Sequence, residues 1–171
     1  MGGHCIAVDP WFIVHGAPED TPLIRTARGV NDGKIHHVIA RAEALLDAHP
    51  AARVACLGLA FKANIDDFRE SPARLVAVTL ARKYGSRIRV VEPYASELPR
   101  EFNGTETSLI DIDTALEDSE ILIVLVDHDA FRAVPLAERA GKLVYDTRGI
   151  WLDQPRADAP ATVAPGLRLA S

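Results

Sequence analysis

Apolar residues recur at three- and four-residue spacing between residues 21 and 49. The repeat follows Thr21-Pro22, a helix start with proline at the first helical position, and runs through Ile24, Ala27, Asn31, Ile35, Val38, Ala42 and Leu45. This spacing predicts one long amphipathic helix that ends near His49-Pro50. Gly29 and Gly33 each weaken such a helix by about 1 kcal/mol relative to alanine, so we expect close packing against a neighbouring element there.

From residue 53 onward the apolar residues form short runs, typical of strands that are buried on both faces. The runs are residues 53–60, 87–91, 121–127 and 143–146. Ser71-Pro72 predicts a helix start, with Gly85 as its stop and an inner face of Ala73, Val76, Ala77, Leu80 and Tyr84. Shorter helices are predicted over residues 110–117 and 136–140. Strands that alternate with helices indicate a doubly wound α/β fold with a mostly parallel sheet, preceded by the long helix.

The pattern divides the chain into four segments. Residues 1–20 precede the long helix, residues 21–49 form it, and residues 50–152 form the α/β domain. The tail, residues 153–171, is rich in Pro and Ala without periodicity, and we predict that it is disordered. A second full domain of the usual 100 to 150 residues does not fit in 171 residues.

Charge and hydropathy exclude two classes of partner. The net charge is -5 and the basic residues are scattered, so we expect no nucleic-acid partner. No apolar run reaches the roughly 18 residues that span a bilayer, and the first residues lack the features of a signal peptide. We therefore expect no membrane partner and a cytoplasmic location.

The first candidate for chemistry is the thiol of Cys5. It follows the Gly2-Gly3 pair, whose backbone can approach a ligand, and Asp9 lies four residues further on. On the residues alone, a small apolar cysteine near a frayed terminus is the favoured alternative.

The second candidate is the charged loop of residues 58–72, which leaves a buried strand and enters a helix, where α/β proteins bind ligands. Lys62 and Arg69 can neutralise phosphates there. The alternative is a solvated loop whose charges pair with Asp66, Asp67 and Glu70. A third, weaker candidate is Arg148, after the last strand.

Two kinds of site are not expected. Gly58 stands alone after its strand, so the Gly-x-Gly-x-x-Gly fingerprint of a dinucleotide-binding unit is lacking. The six histidines show no metal-ligand spacing with cysteine or carboxylate partners, and we predict no metal.

Taken together, residues 2–12 (GGHCIAVDPWF), 58–72 and 146–149 resemble the UDP-glucose/GDP-mannose dehydrogenase family. His4 resembles the branches that handle N-acetylated sugars, because the glucose-specific branch carries serine there. The continuation Ala7 to Phe12 is similar to the UDP-N-acetylmannosamine 6-dehydrogenase branch.

The resemblance implies a role for each matching residue. Cys5 would be the catalytic nucleophile and Asp9 would assist the hydrolytic water. Gly2, Phe61, Lys62 and Arg148 match positions that contact the sugar nucleotide, and Arg69 matches an arginine that reaches the phosphates of the cofactor. Ala63 and Asn64 stand where many relatives have Pro-Asp.

The implied reaction is an NAD-dependent, two-step oxidation of the sugar C6 alcohol to a uronic acid. The Cys5 thiolate captures the aldehyde as a thiohemiacetal, loss of a second hydride gives a thioester, and water releases the acid. The family's NAD-binding domain and most of its homodimer core would precede Gly2, so we expect the chain alone to be inactive. Two alternatives are a non-catalytic UDP-sugar binding module and a structural remnant of an interrupted gene.

Overall fold

The computed structural model describes residues 4–152. The helices are α1 (His4–Gly16), α2 (Pro22–Ala48), α3 (Pro72–Tyr84), α4 (Ile112–Asp118), α5 (Asp129–Arg132) and α6 (Leu136–Arg139), with short 3-10 turns at Gly85–Arg87 and Arg100–Phe102. The strands are β1 (Val54–Leu57), β2 (Ile88–Val91), β3 (Ser108–Ile110), β4 (Ile121–Val124) and β5 (Leu143–Asp146). In this described part, no helix combines the length and apolar character that crossing a bilayer demands.

The five strands form one parallel sheet in the order β3-β2-β1-β4-β5, which confirms the predicted doubly wound fold. The chain builds outward from β1 through β2 to β3 and then returns to place β4 on the other side of β1. The switch point of the sheet therefore lies between β1 and β4, the position at which open α/β sheets usually bind ligands.

Alternate residues of each strand face two separate cores. Cys56 is aligned with Val90 and Ile123, and all three lie in the core that α2 and α3 cover. Leu57 and Leu122 point to the opposite core, which Phe131 and Trp151 help to fill. This period of two is what a parallel strand buried on both faces requires.

The long helix is confirmed as α2, but its two halves differ. Its second half packs on α3 through Val38, Ala42 and Leu46, and the Tyr84 hydroxyl donates to Asp47 at 2.6 Å. The first half contacts α1 and leaves Leu23 79% exposed. The expectation of close packing at Gly29 and Gly33 is wrong within residues 4–152, since a Cβ added at either glycine would meet nothing within 4 Å.

The helix predicted from Ser71-Pro72 is confirmed as α3. The Ser71 side chain accepts a hydrogen bond from Arg74 N–H at 3.3 Å, as an N-cap does, and Gly85 ends the helix with φ of 58°.

Several local features differ from the predictions. Strand β3 was missed, and the helix predicted over residues 110–117 begins at Ile112 instead, because Ile110 ends a three-residue edge strand that pairs only with β2. Helix α1 was also missed, since Pro10 lies inside it. The strands predicted over residues 53–60 and 121–127 are shorter in the structure, since β1 ends at Leu57 and β4 ends at Val124. The predicted tail lies outside the described residues, and the segment boundaries at 20, 49 and 152 stay predictions.

Candidate functional site

The loop after β1, residues 58–71, leaves the sheet at the switch point. It starts at Gly58, whose φ of +95° and close approach to Val126 leave no room for a side chain, because an added Cβ would lie 2.5 Å from Val126 Cβ. Further on, Phe61 N–H donates to Asp67 O at 2.8 Å and closes the loop on itself. Lys62 is exposed in the closed part, and among residues 4–152 no hydrogen bond or ion pair engages its ammonium group.

A buried carboxylate holds the start of this loop. Glu92 follows β2 and is 4% exposed, and its Oε2 accepts hydrogen bonds from Leu59 N–H at 2.7 Å and Ala60 N–H at 3.1 Å. Its Oε1 accepts from Tyr94 N–H at 3.1 Å. Burial raises the pKa of Glu92, but hydrogen bonds from His128 and these backbone donors outweigh it, and the pKa lies below its ordinary value. The carboxylate is therefore ionised, and donors from inside the fold engage both of its oxygens.

His128 joins this carboxylate to the exposed part of the loop. Its ring is fully buried, and Nδ1 accepts a hydrogen bond from Asn64 N–H at 2.9 Å. Because Nδ1 accepts, the ring proton lies on Nε2, which donates to Glu92 Oε2 at 3.3 Å. Asn64 has φ of 63°, in the left-handed region that asparagine tolerates better than most residues.

The neighbouring residue Asp129 fixes the side chain of Asn64. Asn64 Nδ2 donates to Asp129 Oδ2 at 2.8 Å, and Asp129 N–H donates back to Asn64 Oδ1 at 3.0 Å. The Tyr94 hydroxyl donates to the same Oδ1 at 3.3 Å. Both the backbone and the side chain of Asn64 are therefore tied to residues after β4.

Asp127, on the other side of His128, holds two arginines. Arg148 donates to Asp127 Oδ1 from Nε at 3.0 Å and from Nη2 at 2.8 Å, while Arg132 Nη2 donates to Oδ2 at 2.7 Å. Burial raises the pKa of Asp127, but the two guanidinium groups outweigh it and hold the pKa below its ordinary value. The Arg148 side chain is 33% exposed and the Arg132 side chain 49% exposed, so neither arginine is enclosed by the fold.

Three consecutive residues, Asp127, His128 and Asp129, thus connect the loop of Lys62 with the loop of Arg148, and we call them the β4 hub. The Cα atoms of Asp127 and Asp129 are at most about 7.6 Å apart, since consecutive Cα atoms are about 3.8 Å apart. The hub brings both cation-bearing loops to the carboxyl edge of the sheet. Exposed lysine and arginine side chains at such an edge can bind the phosphates of a nucleotide.

The predicted site residues fall into three groups. Phe61, Lys62 and Arg148 lie at this edge, as expected. Arg69 lies at the end of the same loop with an 81% exposed side chain, and its guanidinium pairs with Asp67 through two bonds of 2.9 Å. The pairing with Asp67 agrees with the alternative of a solvated, internally paired loop for this one residue.

The remaining predicted residues lie on α1 or outside the described residues. Asp9 is exposed on α1, which packs against α2. Position 5 is one turn before Asp9 on the same helix, as a shared pocket would require, but the side chain of Cys5 lies outside the described residues. Gly2 lies outside them as well.

Cys56, the other cysteine, is not a second candidate for the nucleophile. It lies in the middle of β1 and is fully buried, and burial raises the pKa of its thiol to about 12. At neutral pH this thiol stays protonated and out of reach of substrates.

Sequence reasoning missed the β4 hub and Glu92. The available signal was position, because three polar residues end the apolar run of residues 121–126 at the switch point, and Glu92 ends the run of β2 in the same way. A cleft of about 600 Å³ also lies along β2 and β3, lined by residues that include Glu92, Leu109 and Asp111. Within residues 4–152, no group of three or more His, Cys, Asp or Glu side chains is arranged to hold a metal ion.

Comparison with known proteins gives concordant matches. Residues 55–153 match the UDP binding domain of the UDP-glucose/GDP-mannose dehydrogenase family. A UDP-N-acetyl-D-mannosamine dehydrogenase of Salmonella typhimurium is 47% identical over 159 residues, which are 88% of this chain and 38% of that protein. An NDP-N-acetyl-D-galactosaminuronic acid dehydrogenase of Ralstonia nicotianae is 46% identical over 151 residues, 88% of this chain and 35% of that protein.

A solved structure shows the same fold. The UDP-D-ManNAc dehydrogenase of Pyrococcus horikoshii superposes with a TM-score of 0.69 at 27% identity, over 88% of this chain and 35% of that one. This chain therefore spans less than two fifths of the length of these relatives, and in the Salmonella protein the match is to the carboxyl-terminal part.

Proposed function

This chain belongs to the UDP-glucose/GDP-mannose dehydrogenase family, and from that premise we propose that the carboxyl edge of its sheet binds the uridine diphosphate part of a nucleotide sugar. The observation that carries the proposal is the β4 hub, which ties the loop of Lys62 and the loop of Arg148 to one edge. The crevice at a topological switch point is where α/β sheets bind nucleotides.

Lys62 and Arg148 supply the charge that a diphosphate needs. Lys62 is exposed at the switch point, and the Arg148 side chain, which Asp127 orients, is 33% exposed. Phe61, half-buried at the root of the loop, is placed to contact the sugar nucleotide, and Gly2 would approach the same ligand. We assign Glu92 to anchoring the loop rather than to ribose hydroxyls, because it is 4% exposed and both its oxygens accept hydrogen bonds from inside the fold.

In the complete enzyme we propose an NAD-dependent oxidation of the sugar C6 alcohol to a uronic acid. Cys5 would be the nucleophile that holds the sugar as a thioester, and Asp9, one helical turn away, would assist the water that releases the acid. Arg69 would contact the phosphates of NAD, since its guanidinium, although paired with Asp67, lies on a side chain that is 81% exposed. NAD would supply the hydride acceptor, bound mainly by residues outside this chain.

The substrate class is a nucleotide-linked N-acetylhexosamine. His4, which resembles the residue of branches that act on N-acetylated sugars, supports this class over glucose. The mannosamine epimer is our proposal from the similarity of residues 7–12. Sequence identity does not distinguish the two epimers, because the chain is 47% identical to a UDP-N-acetyl-D-mannosamine dehydrogenase and 46% identical to an NDP-N-acetyl-D-galactosaminuronic acid dehydrogenase. A cytoplasmic location and a homodimer complete the proposal.

Titration calorimetry with UDP tests the binding site. Replacing Lys62 by alanine should weaken UDP binding by about 10-fold or more, because a charge-assisted hydrogen bond contributes about 1.5 to 3 kcal/mol. Lys34→Ala is the matched control, since Lys34 is an exposed lysine on α2 away from the sheet edge, and its affinity for UDP should equal that of the wild type. Absence of heat with millimolar UDP, or equal losses in both variants, contradicts the proposal.

The absorbance of NADH shows whether the chain oxidises the nucleotide sugar or only binds it. The chain mixed with NAD and UDP-N-acetylmannosamine should form no NADH, since it matches only the carboxyl-terminal part of the active relatives. Sustained NADH formation from the purified chain would show that the expected inactivity in isolation is wrong.

A further inference from the structure

We propose that His128 is a positioning residue for the sugar-nucleotide site, which holds the loop after β1 in the conformation that presents Lys62. This inference rests on the proposed function. It assigns a role to a buried side chain that touches no ligand itself and acts through Asn64, two residues after Lys62.

The ring of His128 joins two elements with its two nitrogens. Nδ1 accepts from Asn64 N–H at 2.9 Å, and Nε2–H donates at 3.3 Å to Glu92, the carboxylate that also binds the N–H groups of Leu59 and Ala60. The loop is therefore held at its root by Glu92 and near Lys62 by His128. Asn64 adopts a left-handed φ of 63°, a backbone conformation that the surrounding bonds must stabilise, and the bond to His128 is the one made by its backbone N–H.

The surroundings keep the ring in place. The Tyr94 ring lies 5.2 Å from the His128 ring between centroids, and the Phe131 ring lies 5.3 Å away in an edge-to-face arrangement. Asp129 and Asp127, on either side, are engaged with Asn64 and with the two arginines. A ring packed in this way has one orientation, and each nitrogen meets its own partner.

Two substitutions separate the two nitrogens. In His128→Asn, the side-chain oxygen overlies Nδ1 and can still accept from Asn64 N–H, whereas the contact with Glu92 is lost. In His128→Gln, the amide nitrogen reaches the position of Nε2 and can still donate to Glu92, whereas the acceptor for Asn64 is lost. Both variants remove the ring contacts, so each is the control of the other for the loss of packing.

The experiment measures UDP affinity by calorimetry, peptide-level amide hydrogen exchange over residues 61–70 and urea unfolding for both variants and the wild type. We expect His128→Gln to bind UDP about 3- to 10-fold more weakly than His128→Asn, the loss of affinity that one hydrogen bond corresponds to. We also expect the amides of residues 61–70 to exchange faster in His128→Gln. A merely structural histidine would instead give affinities that follow stability, whichever nitrogen is replaced.

The outcomes are distinguishable. If the wild type binds UDP and the two variants bind it equally and show equal exchange, the positioning role is wrong and the proposed function stands. If the wild type does not bind UDP, the proposed function is wrong, and the inference is overturned with it even where the exchange data show that His128 orders the loop.

Discussion

Replacing Glu92 by glutamine tests how the loop after β1 is anchored. The carboxylate accepts three backbone hydrogen bonds, from Leu59, Ala60 and Tyr94, and one from His128. A glutamine has only one oxygen. The best orientation of its amide places that oxygen at the position of Oε2, which leaves Tyr94 N–H facing an NH2 group.

The magnitude follows from this count. An unpaired N–H costs about 1 to 3 kcal/mol when buried and less at the partly buried Tyr94 N–H, and the remaining bonds lose the advantage of a charged acceptor. We therefore expect Glu92→Gln to lower the free energy of unfolding by about 2 to 4 kcal/mol at pH 7. Glu117→Gln is the matched control, since Glu117 is exposed on α4, and it should change the free energy by less than about 0.5 kcal/mol.

The difference in stability between the wild type and Glu92→Gln should also depend on pH, in a direction that the pKa of Glu92 determines. The pKa of Glu92 in the folded chain lies below its ordinary value of 4.5, so its stabilising contribution is complete above pH 4.5 and is lost as the pH falls through the folded value. Glutamine does not titrate. The difference between wild type and Glu92→Gln in urea unfolding should therefore shrink below pH 4.5, and a difference that is absent at pH 7 or constant into acid refutes the assignment.

Three further substitution sets test other parts of the structure. Gly58→Ala should destabilise the fold by more than about 2 kcal/mol, because the added Cβ would lie 2.5 Å from Val126 Cβ at a φ of +95°. Gly29→Ala should instead stabilise α2 by about 0.5 to 1 kcal/mol, since an added Cβ meets nothing within 4 Å there. Equal shifts of the two variants in thermal unfolding would contradict this. Leu46→Ala should lower the free energy of unfolding in urea by about 2 to 5 kcal/mol, because Leu46 is fully buried. Leu23→Ala should lower it by less than about 0.5 kcal/mol, because Leu23 is 79% exposed. A comparable loss for Leu23→Ala would show that the first half of α2 is packed. In a Cys5→Ser variant, a thiol reagent at pH 8 should label Cys56 only after unfolding, and labelling of the native chain would show that β1 opens.

The sequence carries enough information for the sheet because the strand cores are continuous apolar runs. The runs that contain Cys56 and Ile123 stand out from their surroundings, and Ser71-Pro72 and Gly85 mark the ends of α3. Strand β3 gives no such signal, since it has three residues, lies at the sheet edge and is only partly buried. Helix α1 is hidden by Pro10 and by apolar residues that do not follow a helical repeat.

The candidate site divides in the same way. Lys62 and Arg148 were found because they follow strands and because the family resemblance assigns them to the sugar nucleotide. The bonds that unite them are between residues distant in sequence, such as Asn64 with His128 and Asp127 with Arg148, and no local pattern predicts such pairs. The sequence therefore predicts which side chains can bind phosphate. Only the fold shows that one short segment after β4 holds the loop of Lys62 and the loop of Arg148.

Chemical-shift mapping with UDP, on isotope-labelled chain by NMR, tests the central claim most directly. The amide signals that move should cluster at residues 61–69, 127–129 and 147–149, around the β4 hub, while those of α2 stay unchanged. Movement confined to the cleft beside Leu109 and Asp111, or no movement at millimolar UDP, would contradict the placement of the nucleotide at the carboxyl edge between β1 and β4.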